Sequence, residues 1–189
     1  MDEVAKAFKA VRRENFLPPQ QVGSFDLDAP LPIGFGQTNS QPTTVRRMLE
    51  WLEVEPGNKI LDIGSGSGWT TALLARLTGP AGQVYAVEVV PELVDFGRGN
   101  CQKAGIKNAE FYQAGTALGL PRFAPYDRIL VSAAANRLPQ ELLEQLKNGG
   151  KLVIPVNNDI LEIEKRAGGQ IETFAHPSFV FVPLINSVR

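Results

Sequence analysis

The sequence predicts an α/β fold: a doubly wound, mostly parallel sheet with antiparallel strands at its C-terminal edge. Three observations predict it. From residue 42 to residue 156, strand-like apolar runs alternate with helix-like runs, which is how right-handed βαβ units are built. Several of those strand runs are nearly all apolar, as strands covered on both faces require. After residue 156 the helical spacing stops, and strand-like runs follow one another.

The elements follow in order. Residues 2–14 predict a short helix, because Val4, Phe8 and Val11 repeat at helical spacing with Lys and Arg between them. Residues 15–42 predict a long loop. They hold five prolines (Pro18, Pro19, Pro30, Pro32, Pro42) and three glycines (Gly23, Gly34, Gly36). Loops this long in compact domains are usually functional or disordered. Phe16, Phe25, Leu31, Ile33 and Phe35 argue that this one packs and shapes a site. Pro42 suits the first turn of a helix, with Ser40 or Gln41 near its cap. Val45, Met48, Leu49 and Leu52 give that helix one apolar face, and it ends before Pro56-Gly57.

Lys59–Ile63 then reads as a buried strand, Gly64–Gly68 as a turn, and Trp69–Leu77 as a helix stopped by Gly79-Pro80. Strands are expected at Val84–Glu88, Ala109–Gln113, Arg128–Ser132 and Lys151–Val156, with helices over Glu92–Ala104 and Leu138–Lys147. Two strand-like runs follow, around Ile160–Arg166 and Phe179–Leu184. Ile171–Phe174 can pair with the first of them across Gly168-Gly169. Asn157-Asn158-Asp159 is a turn, and His176 before Pro177 is read as a loop residue. Trp51, Trp69 and Cys101 are read as packing residues, and Asp127-Arg128 as a structural pair or turn.

Composition narrows the function. At 189 residues, the chain allows one domain and hardly two. A net charge of −1, from 19 basic and 20 acidic residues, gives no surplus to attract nucleic acid or an anionic membrane. With one histidine and one cysteine, there is no disulfide and no His/Cys cluster for zinc. No apolar run approaches the ~20 residues of a membrane span. The opening Met1-Asp2-Glu3, with Lys6 and Lys9 close behind, holds no apolar signal core, so a cytoplasmic location is expected.

The sharpest motif is Ile60-Leu61-Asp62-Ile63-Gly64-Ser65-Gly66-Ser67-Gly68, a strand, a glycine turn and the start of a helix. Glycines let backbone come close to a ligand, and a helix N-terminus offers free N–H groups. Glu88 closes the next strand, where a carboxylate can accept ribose hydroxyls. A nucleoside ligand is therefore expected. A dinucleotide fingerprint would need a third glycine at residue 69, which is Trp69. The G-x-G-x-G loop with Asp62 ahead of it suits S-adenosylmethionine better, whose amino-acid end wants backbone groups and an acid. On this reading Asp62, Gly64, Ser65, Gly66, Gly68 and Glu88 bind the donor. A bare βα turn remains the alternative.

Further segments resemble the protein-L-isoaspartate O-methyltransferase family. They are Asn15-Phe16-Leu17-Pro18; Pro30-Leu31-Pro32-Ile33-Gly34-Phe35-Gly36-Gln37-Thr38-Asn39-Ser40-Gln41-Pro42; Tyr126 to Ala135; Gln145 to Gly150; and Phe181-Val182-Pro183-Leu184. The stretch ending Gln37-Thr38-x-Ser40-Gln41-Pro42 is the most specific of them. The resemblance implies a Rossmann-like sheet of about seven strands in one domain spanning 1–189. Within it, 15–42 would be a substrate loop, 57–156 the donor-binding core and 157–189 the C-terminal strands. It implies S-adenosylmethionine as methyl donor, no metal, and methylation of the free α-carboxylate of L-isoaspartyl residues in damaged proteins. A monomer is expected. Ser40 matches the family's active-site serine, although as a residue it could equally cap the helix that Pro42 opens. Gln37, Thr38, Gly115 and Thr116 join the donor-binding set.

The chain departs from the family pattern at Asn39, usually aliphatic, at Ala29, often Arg, and at Gly115-Thr116-Ala117, usually Gly-Asp-Gly. The family's preceding helical segment is also expected to be missing. A diverged methyltransferase for another carboxylate or a small molecule, and a non-catalytic S-adenosylmethionine-binding protein, stay open as alternatives. A carboxylate with an ordinary pKa of ~4 is already ionised at neutral pH. Its methylation needs alignment and no general base, which suits a chain without an acid/base pair.

Overall fold

The computed structural model describes residues 2–185. Its centre is a seven-stranded sheet in the order β5-β4-β3-β6-β7-β8-β9. These strands are β3 (Lys59–Ile63), β4 (Gln83–Glu88), β5 (Ala109–Gln113), β6 (Tyr126–Val131), β7 (Leu146–Val156), β8 (Asp159–Lys165) and β9 (Ile171–Pro177). The five strands from β5 to β7 run parallel, whereas β8 and β9 join antiparallel. The Ile171 strand pairs with β8, as the two glycines at 168 and 169 suggested. Strand order reverses at β3, so a crevice opens beyond the carboxyl ends of β3, β4 and β6. This is where open α/β sheets bind ligands.

Both faces of the sheet are covered. Ile60, Val84, Ala86, Leu130 and Val153 pack on one side with α1 (Glu3–Ala10), α2 (Pro42–Leu52), α3 (Trp69–Thr78) and α4 (Pro91–Lys103). Leu61, Ile63, Val87, Ile129, Val131, Leu152 and Ile154 pack on the other side with Leu142 and Leu143 of α5 (Gln140–Gln145). Burial of apolar surface on two faces explains why the parallel strands lack polar alternation.

Local chemistry sets the boundaries, and several differ from expectation. The helix expected over 2–14 stops at Ala10, and Arg13–Phe16 forms a 3₁₀ turn. The Val11 carbonyl accepts the Trp69 indole N–H at 3.2 Å, and the Arg13 side chain turns inward, leaving 5% exposed. The expected loop 15–42 carries structure of its own. It holds a 3₁₀ turn at Pro19–Ser24 and a hairpin of β1 (Leu31–Gly34) and β2 (Gln37–Asn39). At the hairpin's tip Phe35 takes a positive φ of 54° between Gly34 and Gly36.

The helix expected over 138–147 is only six residues long, and Leu146 already pairs with Tyr126 as β7 begins. Gly150 permits this early start. A Cβ there would lie 2.8 Å from the Lys147 carbonyl oxygen and 2.9 Å from that of Asp127. His176 sits in β9 and not in a loop. Its ring stacks on Trp51 with centroids 3.7 Å apart, and Nε2 lies 3.3 Å from Glu162. The run Phe179–Leu184 forms no strand. It is tied by Ala134 N–H to the Val182 carbonyl and by Leu184 N–H to the Ala134 carbonyl, both at 2.8 Å. These two bonds make one isolated parallel bridge, Ala134 with Pro183, and not a ladder.

Candidate active site

The crevice holds one deep cavity, which we build from β3 outward. Gly64 leaves the strand with φ 78°, and its N–H reaches the Val87 carbonyl at 2.8 Å. Ser65 N–H shares that carbonyl at 3.2 Å, and Gly68 N–H closes the turn on the Ser65 carbonyl at 2.8 Å. Gly64, Ser65, Gly66 and Ser67 all line the cavity. Gly66, at φ 49°, is backed by Ile33 of the hairpin.

Gly68 and Asp62 do different work and do not line the cavity. Gly68 opens α3 at φ 84°, and a Cβ there would lie 2.8 Å from the Gly97 carbonyl oxygen on α4. Its lack of a side chain lets two helices approach. Asp62 is 0% exposed and accepts from the Thr71 hydroxyl at 2.6 Å and the Thr70 hydroxyl at 3.3 Å. Burial pushes its carboxyl up to about 6, against the two threonine hydroxyls, with the Glu88 charge adding to the rise. It therefore fastens the end of β3 to the first turn of α3.

Glu88 ends β4 at the cavity wall and is 5% exposed. Its Oε2 accepts Gly66 N–H at 2.9 Å, and its Oε1 accepts Val89 N–H at 2.7 Å and Val90 N–H at 3.0 Å. A carboxylate has roughly four lone-pair positions. The three backbone donors leave about one free, on Oε2. Glu88 is thus part of the loop's frame as well as a wall of the cavity.

The far wall comes from three places. Gln37, Thr38, Asn39 and Ser40 follow the hairpin; Ala114, Ala117, Leu118 and Gly119 follow β5; and Val182 to Ile185 cross over from the C-terminal segment. Gly115 and Thr116 are exposed and do not line the cavity. Buried Gln145 holds the loop after β5. Its amide oxygen accepts Leu120 N–H, and its nitrogen donates to the Leu118 carbonyl, each at 2.9 Å.

Ser40 does not cap α2. Gln41 stands at the cap without a side-chain hydrogen bond to the backbone, and the Thr43 amide instead donates to Asp28 Oδ1 at 2.9 Å. A second groove lies beside the first cavity, lined by Pro30, Gln41, Thr44 and Ser178 to Phe181. Thr38, Ser40, Ser132 and Val182 line both. The Ser40 and Ser132 side chains therefore stand where the two spaces meet.

The residues fit an adenosyl amino acid. Ser65 Oγ is buried, lines the cavity and has no hydrogen-bond partner in the structure. Buried hydroxyls are rarely left so, and a polar group in the cavity would satisfy it. The glycine turn supplies backbone donors, and apolar Ile63, Val87, Ala133 and Leu118 supply walls for a ring. Among the described residues no cluster of His, Cys, Asp and Glu could hold a metal.

The sequence analysis did not single out the Val182–Ile185 wall, Ser132 or Gln145 as site residues. All three lie in segments that carry the family resemblance, Phe181 to Leu184, Tyr126 to Ala135 and Gln145 to Gly150, which was the signal that could have pointed to them.

A mostly parallel sheet with a glycine turn after its switch-point strand, an acid closing the next strand, and Trp69 where a dinucleotide fingerprint needs glycine point to the Rossmann-like methyltransferase class. Comparison with known proteins narrows the class. The family model described as protein-L-isoaspartate(D-aspartate) O-methyltransferase matches residues 1–189. A protein-L-isoaspartate O-methyltransferase of Aeropyrum pernix is 46% identical over 187 residues, covering 96% of this chain and 72% of the relative. One of Pyrococcus horikoshii is 41% identical, covering 97% and 85% respectively. A solved protein-L-isoaspartate O-methyltransferase superposes with TM-score 0.88 at 28% identity, covering 97% of this chain and 61% of its own. A Plasmodium falciparum β-aspartate methyltransferase structure, solved with S-adenosyl-L-homocysteine, superposes with TM-score 0.86 at 25% identity, covering 99% and 92%. The chain belongs to the protein-L-isoaspartate(D-aspartate) O-methyltransferase family.

Proposed function

We propose that the chain methylates the free α-carboxylate of L-isoaspartyl residues in proteins and peptides, with S-adenosylmethionine as donor. One observation carries the reading: two adjoining spaces, one lined by the glycine turn and Glu88 and the other by Pro30, Gln41 and Ser178 to Phe181, share Ser40. The first presents groups for a nucleoside donor, and the second leaves room beside it for a peptide acceptor.

S-adenosylmethionine, when bound, supplies a methyl group on a sulfonium. The residues of this chain bind, align and exclude water. The glycine turn and Ser65 hold the amino-acid end. Glu88 offers its remaining Oε2 position to a ribose hydroxyl. Leu118, Gly119 and Ala114 flank the base. The Ser40 hydroxyl donates to the acceptor carboxylate and fixes its direction. That carboxylate is already ionised, so no proton has to leave it, and positioning carries the catalysis. Val182 to Ile185 keep water from the line of transfer.

The same reading makes 1–189 one methyltransferase domain, with 15–42 as the acceptor wall, 57–156 as the donor core and 157–189 as the C-terminal strands. It also takes the chain as a cytoplasmic monomer acting on protein substrates; a near-neutral charge gives no surplus for nucleic acid or an anionic membrane, and a single cysteine fits a reducing compartment. The test is labelled methyl transfer to an isoaspartyl peptide and to its aspartyl twin. Label on the first alone is expected. Equal label on both, or none on either with S-adenosylhomocysteine still bound, overturns the substrate assignment.

A further inference from the structure

Among the described residues Arg13 has the most hydrogen-bonded side chain, yet it lies outside both cavities. It comes from the 3₁₀ turn after α1, and every one of its hydrogen bonds goes to a neutral oxygen. Nε donates to Asn39 Oδ1 at 2.7 Å. Nη1 reaches the carbonyls of Leu27 at 2.8 Å and Phe25 at 3.3 Å. Nη2 reaches those of Ala29 at 2.7 Å, Ser40 at 3.0 Å and Asn39 at 3.2 Å. A guanidinium carries its donors in a rigid planar fork. One side chain thus gathers five carbonyls from residues 25 to 40, the stretch that ends in the acceptor wall.

The same group also reaches the donor loop, by two routes. Asn39 is 4% exposed, and its Nδ2 donates to Ser67 Oγ at 3.0 Å. Arg13 Cζ also lies 5.5 Å from the centre of the Trp69 ring. Ser67 and Trp69 both line the cavity. The polar path Arg13–Asn39–Ser67 therefore joins the wall that carries Ser40 to the turn proposed to hold the donor. An aliphatic side chain at 39 could make neither of Asn39's contacts.

We propose that Arg13 is a positioning residue for methyl transfer, acting through Asn39 and the Ser40 carbonyl to keep the acceptor wall in register with the donor loop. The proposal rests on the methyl-transfer reading above. In-line transfer tolerates little misplacement, and an error of about 1 Å can cost on the order of 100-fold in rate. The wall's own ladder is the short β1–β2 hairpin, which fixes Gln37–Asn39 against Leu31–Gly34 and does not reach the donor loop. Arg13 holds the wall from a buried point, while Asn39 ties it to the opposite half of the site.

The test uses the full chain with Asn39→Leu, which keeps approximate volume and removes both polar contacts, alongside Arg13→Lys, which keeps the charge and loses the fork. Three quantities are measured well below each variant's melting temperature: kcat and KM for an isoaspartyl peptide, S-adenosylhomocysteine affinity by calorimetry, and amide hydrogen exchange across residues 25–40. For Asn39→Leu we expect kcat/KM to fall at least tenfold, S-adenosylhomocysteine affinity to stay within threefold, and exchange to quicken in 25–40 alone. The double variant should lose no more activity than the worse single variant, because the two residues act as one unit.

Unchanged kcat/KM with a lower melting temperature makes the network scaffolding and overturns the proposal. So does an equal loss of donor affinity, or strictly additive losses in the double variant. If Arg13→Lys fails to fold, Asn39→Leu with Ser67→Ala gives the same cycle. If the unaltered protein binds S-adenosylhomocysteine but labels no isoaspartyl peptide, the substrate reading fails on its own. Exchange in 25–40 then still decides whether Asn39 couples wall and loop, and unaltered exchange overturns the coupling.

Discussion

The donor loop and the acceptor wall face each other across one cavity and are held by opposite means. Residues 64–68 are fixed by backbone: four of their N–H groups bond to Val87, Glu88 or Ser65, and their flanks are a buried strand and a buried helix. Residues 25–40 have only the short β1–β2 ladder of backbone bonds, and side chains fix the rest, Arg13 from upstream and their own Asp28 reaching out to Thr43. A loop held by its own backbone is built once for every ligand of its class. A wall held by a few side chains can be re-aimed by changing one of them. On the proposed reading, donor binding falls to the half held mostly by backbone and acceptor choice to the half held mostly by side chains.

The largest break should come at Gly68. Gly68→Ala forces an L side chain into φ 84° and drives its Cβ toward the Gly97 carbonyl. Left-handed backbone costs about 1–2 kcal/mol, and overpacking about 1–3 more. We expect a loss of roughly 3 kcal/mol in urea unfolding, and donor binding lost with it. An unchanged midpoint would mean that α3 and α4 separate freely.

Asp62 gives a break that pH controls. Its folded pKa of about 6 lies above the ordinary 3.8. Between those values the folded chain keeps a proton that the unfolded chain releases, so stability falls as pH rises through that window and is level above it. Asp62→Asn keeps an acceptor for Thr71 and removes this term, worth on the order of 2–3 kcal/mol. The variant should melt higher than the parent at pH 7, with a gap that closes toward pH 4. A constant gap would show that the carboxyl titrates normally.

Glu88→Ala strips three backbone amides of their acceptor as well as the cavity of its acid. Charged hydrogen bonds contribute about 1.5–3 kcal/mol each. Calorimetry should show S-adenosylhomocysteine binding at least tenfold weaker, and the melting temperature should also drop. Weaker binding with an unchanged melting temperature would mean that the frame holds without Glu88.

On the wall, Ser40→Ala should spare the fold, since Ser40 caps nothing. Loss of one hydrogen bond of about 1–1.5 kcal/mol predicts a roughly tenfold fall in turnover, with donor affinity kept. A fall in melting temperature with full turnover would return Ser40 to a structural role. The smallest effect belongs to Thr116. The family pattern implies that Thr116→Asp tightens donor binding several-fold. Its exposed position off the cavity predicts a change of less than threefold for S-adenosylhomocysteine, and the same for its inosine analogue.

How much could be read in advance follows the same division. The donor half was legible because its signal is local: strand, Gly64, Gly66 and Gly68, helix, then Glu88 closing the next strand. The antiparallel strand at Ile171 was legible from its two glycines. Arg13 was not legible. Between Val11 and Phe16 it reads as one more surface base, and its partners lie 12 to 27 residues downstream. The early end of α5 was missed because Leu146 belongs equally to a helical face and to a strand. Only its pairing with Tyr126 decides. His176 was misplaced for the same kind of reason, since its ring is fixed by Trp51, 125 residues away in the chain.

The stretch that walls the cavity at Val182 to Ile185 comes after the last strand of the sheet, which ends at Pro177. A ribosome therefore delivers every strand before it delivers that wall. The nascent chain can assemble its sheet and close the glycine turn while the crevice still gapes on one side. The later stretch thus adds a wall to a cavity whose floor is already in place.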